Sequence, residues 1–470
     1  MKAIDLGSEK TWPVIRKLVL PAMAAQIVNV LYSIVDRIFV SQIGSAALSG
    51  IAVCSPLVTT LTAFSFWVGL GGGPLFSMRL GEKKDGEAKK ILSNAFQMLL
   101  LFGLLLEVVF FLALKPVLFA FGASENSYPY ARDYMMIVLA GILFPVLTLG
   151  LNEFLSAQGM SLGSMLSTSI SCLCNIAFDA LFVLCFNWGV KGAAYATILC
   201  QGVGFLVSLL LLLKKSTRIR LSFGKPDFRI WGSILKLGFS PFIIMVTDSL
   251  LLLLFNTTFQ KYGGEKEGDF LIEASTIVTG FESLITGPLL GISTGSQPIL
   301  GYNYGAGRED LIRKSEKQIF LFGLCFTTAC FLLSYPLARP FADLFVRFQK
   351  GGSSSDKELL VDTSVKFIRV YMYGIIPLSL QYTTVDGLTG MGQANSSIWL
   401  SLNRKAVLML GSMILLPLLT KNAESTFYAE LIADVGSAVV STLVYFLLFP
   451  KVMKKMKQNG TDPSLSKEKT

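Results

Sequence analysis

The fold class this sequence predicts is all-α and integral to a membrane: twelve transmembrane helices in two six-helix lobes related by a parallel internal repeat. Three observations predict it. Apolar runs long enough to cross a bilayer recur from end to end of the 470-residue chain, which is 52% hydrophobic and only 15% charged. The basic residues gather in loops that fall on one side of such a bundle. The second half also repeats glycines, prolines and charges of the first.

The first apolar segment, 14–41, carries Pro21, which removes one backbone donor and lets a helix bend there. It carries Asp36 in its far half among Ile34, Val35, Ile38 and Phe39, where a carboxylate costs roughly 2.5–3.5 kcal/mol on insertion scales. Residues 1–13 are polar and no small-residue cleavage site follows the first run, so an uncleaved first helix is expected rather than a signal peptide. A turn at Gly44–Ser45 leads to a second helix over 46–79, then to the charged loop 80–90. Helices are expected over 91–114, 134–156, 162–186 and 190–213, the last pair turning at Trp188–Gly189. The basic stretch 214–233 links the halves. Six further helices are expected over 234–262, 270–300, 312–337, 363–388, 396–419 and 426–452, and a disordered tail over 454–470. The lobes are thus 1–213 and 234–453.

The net charge of +10 lies between apolar runs, so it reads as positive loops on one side and not as a nucleic-acid surface. That side holds the N-terminus, the 80–90 loop, the linker, Arg308, Arg313, Lys314 and Lys317, and the tail. Both termini are therefore expected in the cytoplasm of a multi-pass cell-membrane protein. The seven cysteines sit in apolar stretches without metal-ligand spacing, and histidine is absent. Any proton chemistry must use carboxylates.

The repeat is specific. Gly71 answers Gly295, Gly81 answers Gly305, and Lys89–Lys90 answer Arg313–Lys314. Gly141, Glu153 and Gly159 answer Gly374, Asp386 and Gly392 at one constant offset. Parallel repeats of this kind are an alternating-access transporter design.

Within the N-terminal half, Asn175 and Asp179 are four residues apart, on one face of the fifth helix. Asp179 lies nine positions before Trp188 and Thr197 nine after, which sets both about 13 Å below the turn. Asp36, eight before Gly44, comes to a similar depth. A local pair with Arg37 is the plainer reading of Asp36 alone. Two carboxylates in one dry pocket need a counter-charge, so a proton or a hard monovalent cation is the natural occupant. The C-terminal copy lacks this set, since Asp36 answers Asn256 and Asp179 answers Ser412. Its own acids, Asp248, Glu282 and Asp386, join Asn152 and Glu153 as substrate-facing candidates.

These residues resemble the multidrug and toxic compound extrusion (MATE) family over 12–452, in its bacterial multidrug-efflux branch. The resemblance rests on the Pro21…Asp36 helix, Asn175, Asp179, Thr197 and the run GSQPILGYNYGAG at 295–307. It implies antiport of lipophilic organic cations or drugs against H⁺ or Na⁺, with the ion on Asp36, Asn175, Asp179 and Thr197. It further implies a monomer in the bilayer, with no nucleic acid and no cofactor beyond the coupling ion. Ser156 stands where relatives often have arginine, a departure that touches the following loop and not the cation site. A flippase for lipid-linked oligosaccharide is the alternative, although it calls for a basic cavity. Basic residues inside the spans are scarce here: Arg37, and Arg404–Lys405 near a helix end. The loop after the second helix does not complete a major-facilitator signature, and no nucleophile–base set suggests an enzyme.

Overall fold

Inside hydrocarbon a backbone satisfies its own N–H and C=O groups only as helix or closed barrel, and this chain takes the first course. The computed structural model describes residues 4–41, 45–121, 123, 125, 127–215, 217–347 and 354–461. In chain order the long helices are α1 Thr11–Ser41, α2 Ser45–Gly81 and α3 Asp85–Leu112. Next come α4, whose arms Tyr128–Ala140 and Leu143–Ala157 meet at 53°, α5 Ser161–Cys185 and α6 Gly189–Leu213. The helical run Phe228–Gly305 supplies both α7 and α8, parted at Gly264. It is followed by α9 Glu309–Arg347, α10 Ser354–Gly390, α11 Ala394–Thr420 and α12 Tyr428–Thr461. Among the described residues ten helices are long and apolar enough to cross a membrane, eleven if bent α4 is one span. The remaining long rod, α10, carries Gln381, Thr383, Thr384 and Asp386 near its end.

Several boundaries differ from the expected ones. The stretch 263–269, expected as a loop between helices over 234–262 and 270–300, is helical except at Gly264 (φ 69°, ψ −172°). Only a residue without Cβ takes that conformation freely, and it lets the chain reverse so tightly that Gly268 lies against Phe259 and Gln260. The linker ends before 233, because the Asp227 carboxylate accepts from the Arg229 N–H at 2.9 Å and starts α7 at Phe228. The expected disorder from Lys454 is also corrected. Helix α12 runs to Thr461, held by buried Met456 and by a Lys457–Glu309 ion pair of 2.8 Å. Gly44 of the first expected turn and residues 462–470 of the tail lie outside the described residues.

The core divides in two. One cluster joins α2, α3, α4 and α6, with Ile234 at the start of α7; the other joins α7–α12 with Val14, Ile15, Leu18, Val19 and Met23 of α1, and a small patch of Val183 and Ala193 joins α5 to α6. Thus α1 and α7 each begin against the opposite lobe. The first half of α7 lies on α2, where Trp67 stacks on Phe242 with ring centroids 4.1 Å apart and donates to the Leu235 carbonyl at 2.8 Å. The first half of α1 lies on α8, with Met23 against Gly291 and Ala22 against Gly295. This exchange is the expected repeat made physical.

At the end of the bundle that carries the N-terminal segment, that segment is tied to both lobes. The Ile4 N–H donates to the Gly159 carbonyl at 3.1 Å. On the other side Asn303 donates to Leu6 at 3.1 Å, Arg308 to Gly7 at 2.6 Å and Lys314 to Glu9 at 3.2 Å.

Candidate functional site

Helix α5 does not reach its end as a regular α-helix. After Asp179 it widens into a π-helical turn, Ala180–Cys185, and the chain then turns through Asn187 (φ 51°) and Gly189 (φ 56°) into α6. Such widened turns often accompany functional residues. Asp179 at the junction is fully buried, Asn175 is 2% exposed, and Thr197 faces them from α6. With its amide oriented to suit its neighbours, Asn175 donates to Asp179 Oδ2 at 2.7 Å and accepts from the Thr197 N–H at 3.2 Å. The Thr197 hydroxyl donates to the Ala193 carbonyl at 3.0 Å, so its lone pairs remain for another donor or cation.

From α1, Asp36 comes within hydrogen-bonding reach of Asp179. Ionised carboxylates only accept, so this contact needs a proton on one of them or a cation between them. Asp179 Oδ1 is buried with no hydrogen-bond partner among the described residues. The four residues expected to share one depth therefore converge on one pocket in the N lobe. Arg37, the plainer partner for Asp36, has a side chain outside the described residues.

Two tyrosines complete the pocket. Tyr32, one turn before Asp36, lies close enough to both carboxylates to feel their charges, and Tyr134 of α4 reaches the same place beside Thr197. The i, i+4 spacing to Asp36 could have marked Tyr32. Nothing in the local sequence marks Tyr134, which reaches the pocket only through the packing of α4.

The other candidates scatter. Pro21 sits inside the unbroken helix α1. Asn152 is 5% exposed within the N lobe, accepting from Ser208 at 2.6 Å and donating to Thr168 at 3.3 Å. Its neighbour Glu153 reaches the seam between lobes, beside a cavity of about 10 Å³ lined also by Gly73, Pro74, Thr294 and Gln297. Asp386 lies across that seam and accepts from Gln297 at 3.1 Å. Asp248 pairs with Lys405 at 2.5 Å, and Glu282 lies close enough to Lys405, Arg404, Glu430 and Asp434 to feel their charges.

Arg404 and Lys405 correct the sequence expectation. They lie not near a helix end but in the π-helical segment Asn403–Met409 midway along α11, 3% and 7% exposed. The widened turn points both adjacent residues inward. Arg404 donates to Asp434 at 2.8 Å and to Glu430 at 3.2 Å. Both cations are thus matched by acids inside the C lobe.

The MatE family model matches residues 21–181 and 243–413, one block in each lobe. The chain belongs to the MatE family. Among its relatives this MatE chain is 22% identical to the multidrug export protein MepA of Staphylococcus saprophyticus, over 91% of the chain and 92% of the relative. It is 30% identical to the probable multidrug resistance protein YpnP of Bacillus subtilis, over 66% of the chain and 68% of the relative. In fold it superposes on an outward-facing MATE transporter of the MOP superfamily with a TM-score of 0.87 at 21% identity, covering 97% of this chain and 99% of that one. The two-lobed MatE architecture is common to both.

Proposed function

We propose that this MatE-family protein is a secondary active multidrug exporter, moving lipophilic organic cations or drugs out of the cell in exchange for inward H⁺ or Na⁺. The observation that carries the proposal is the Asp36–Asp179 contact, framed by Asn175 and Thr197. The pocket binds a proton or a cation only if that occupant neutralises the carboxylates, and it joins a helix rooted in one lobe to a residue of the other. Because α1 begins in the C-lobe core and delivers Asp36 to the N lobe, filling or emptying the pocket acts on both. Pro21 gives α1 a place to bend as Asp36 changes partner. An ion drives such a cycle only through different affinities for the two conformations. One charge crossing the field supplies about 2.3 kcal/mol per 100 mV.

The multidrug export named for MepA, with the probable multidrug resistance named for YpnP, supports the drug substrate. On this reading the protein works as a monomer with both termini in the cytoplasm, needs no cofactor beyond the coupling ion, and catalyses no covalent chemistry. The test is purified protein in liposomes, with ethidium movement followed under a pH gradient alone and a Na⁺ gradient alone. Movement under at least one gradient and no movement without either is the expected result. Equal movement under all conditions would remove the antiport.

A further inference from the structure

The C lobe contains an ion pair whose two members differ sharply in their access to solvent. The side chain of Lys405 is 9% exposed, while Asp248, which it holds at 2.5 Å, is 47% exposed. The neighbouring pairs are not like this. Arg404, Glu430 and Asp434 have side chains 4%, 8% and 3% exposed and form a closed cluster. Asp248 stands on α7 six residues beyond Phe242, where α7 has left the Trp67 seam, so it lies about 9 Å further along the helix from that contact. The Lys405 ammonium also lies 4.0 Å from the Met409 sulfur.

We propose that Asp248 is a docking point for the cationic head of a transported substrate, and that Lys405 is a tethered competitor which covers the carboxylate when the site is empty. The proposal rests on the export of organic cations argued above and adds where one is held and what displaces it. The reachable member of the pair is the acid, so the incoming group is a cation. A hard inorganic cation wants several oxygens around it, whereas the groups touching the Lys405 ammonium among the described residues are one carboxylate and a thioether. That set suits a diffuse ammonium or phosphonium carried on an apolar body. Lys405 and the charged groups whose fields it feels, Asp248, Glu282, Arg404, Glu430 and Asp434, comprise four acids and two bases, again favouring a cation.

Exchange of one cation for another leaves Asp248 neutralised at each stage. Binding therefore does not create a bare carboxylate, and the return of Lys405 helps the substrate leave. A carboxylate without that competitor would bind more tightly and release more slowly.

The experiment measures ethidium and tetraphenylphosphonium binding to the purified full-length protein. Lys405→Met should tighten both by about tenfold, the scale of losing one intramolecular ion pair as a rival. Asp248→Asn should weaken both by about tenfold, and the double variant should match Asp248→Asn. Lys405→Arg keeps the cation and should not reproduce the gain of Lys405→Met. A Lys405→Met protein that binds no better than wild type, or a double variant that keeps the gain, overturns the proposal while leaving export intact. Tighter binding of an anionic dye by Asp248→Asn, without loss of the cations, overturns it in favour of Lys405 as an anion anchor. Wild-type protein that binds and exports neither cation overturns the functional reading itself, and this inference with it.

Discussion

Gly81 and Gly305 hold equivalent places in the two halves, and each lies against the backbone of the other's helix. A Cβ on Gly81 would overlap the carbonyl of Tyr302, and a Cβ on Gly305 that of Met78. Met78 and Tyr302 are separated by the same 224 residues as the glycines, so the contact is its own mirror under the repeat. Helices α2 and α8 cross here as closely as small residues allow.

Gly81→Val and Gly305→Val should therefore harm the protein by similar amounts, about 1–3 kcal/mol each from overpacking. Thermal unfolding midpoints in detergent measure this. A harmless change at one glycine and a severe one at the other would mean that the crossing is not shared equally.

Asp36→Asn and Asp179→Asn keep volume and remove the charge that a proton or cation neutralises. Each protein should remain folded and inserted, while dye movement under an imposed ion gradient falls to the leak of empty liposomes. Normal gradient-driven export by either variant would remove that residue from the pocket's role.

Thr197→Ala separates the two coupling ions. A proton needs only the carboxylates, whereas a hard cation also uses neutral oxygens such as those of Asn175 and Thr197. Na⁺-driven movement should weaken more than H⁺-driven movement. Equal loss under both gradients would make Thr197 a packing residue, bound as it is to the Ala193 carbonyl.

Arg404→Met leaves Glu430 and Asp434 buried without their cation, a change that costs about 3–5 kcal/mol when one member of such a cluster is removed. The unfolding midpoint should drop clearly. Adding Glu430→Gln and Asp434→Asn should restore most of it, because the uncompensated charges go with the arginine. No recovery in the triple variant would mean that Arg404 acts through shape and not charge.

The N-lobe pocket was legible because its residues lie near turns. Counting back from Trp188 to Asp179 and forward to Thr197 pairs the two without knowledge of any packing angle, although the π-helical turn Ala180–Cys185 departs from the regular rise such a count assumes. The C-lobe cluster was not legible in the same way. Arg404 and Lys405 are adjacent, and a regular α-helix would turn them about 100° apart; the π-helical segment that buries both has no local sequence signal. Likewise the one-residue break at Gly264 is hidden, since the charged residues that follow suggest a loop although the backbone there is helical. Hydropathy located the rods, but side-chain neighbours between helices of one lobe, such as Tyr134 and Thr197, depend on how α4 bends.

Among the described residues, the N-terminal segment makes one hydrogen bond to the N lobe, Ile4 to Gly159, against several from Asn303, Arg308 and Lys314 on the C-lobe side. If the lobes part at that end, the single bond is the one to yield, and the segment travels with the C lobe like a latch hung on one door. The Ile4 amide then meets water only in the parted state. Its deuterium uptake becomes a native clock for the conformational cycle, readable without any label and sensitive to which ion or drug is present.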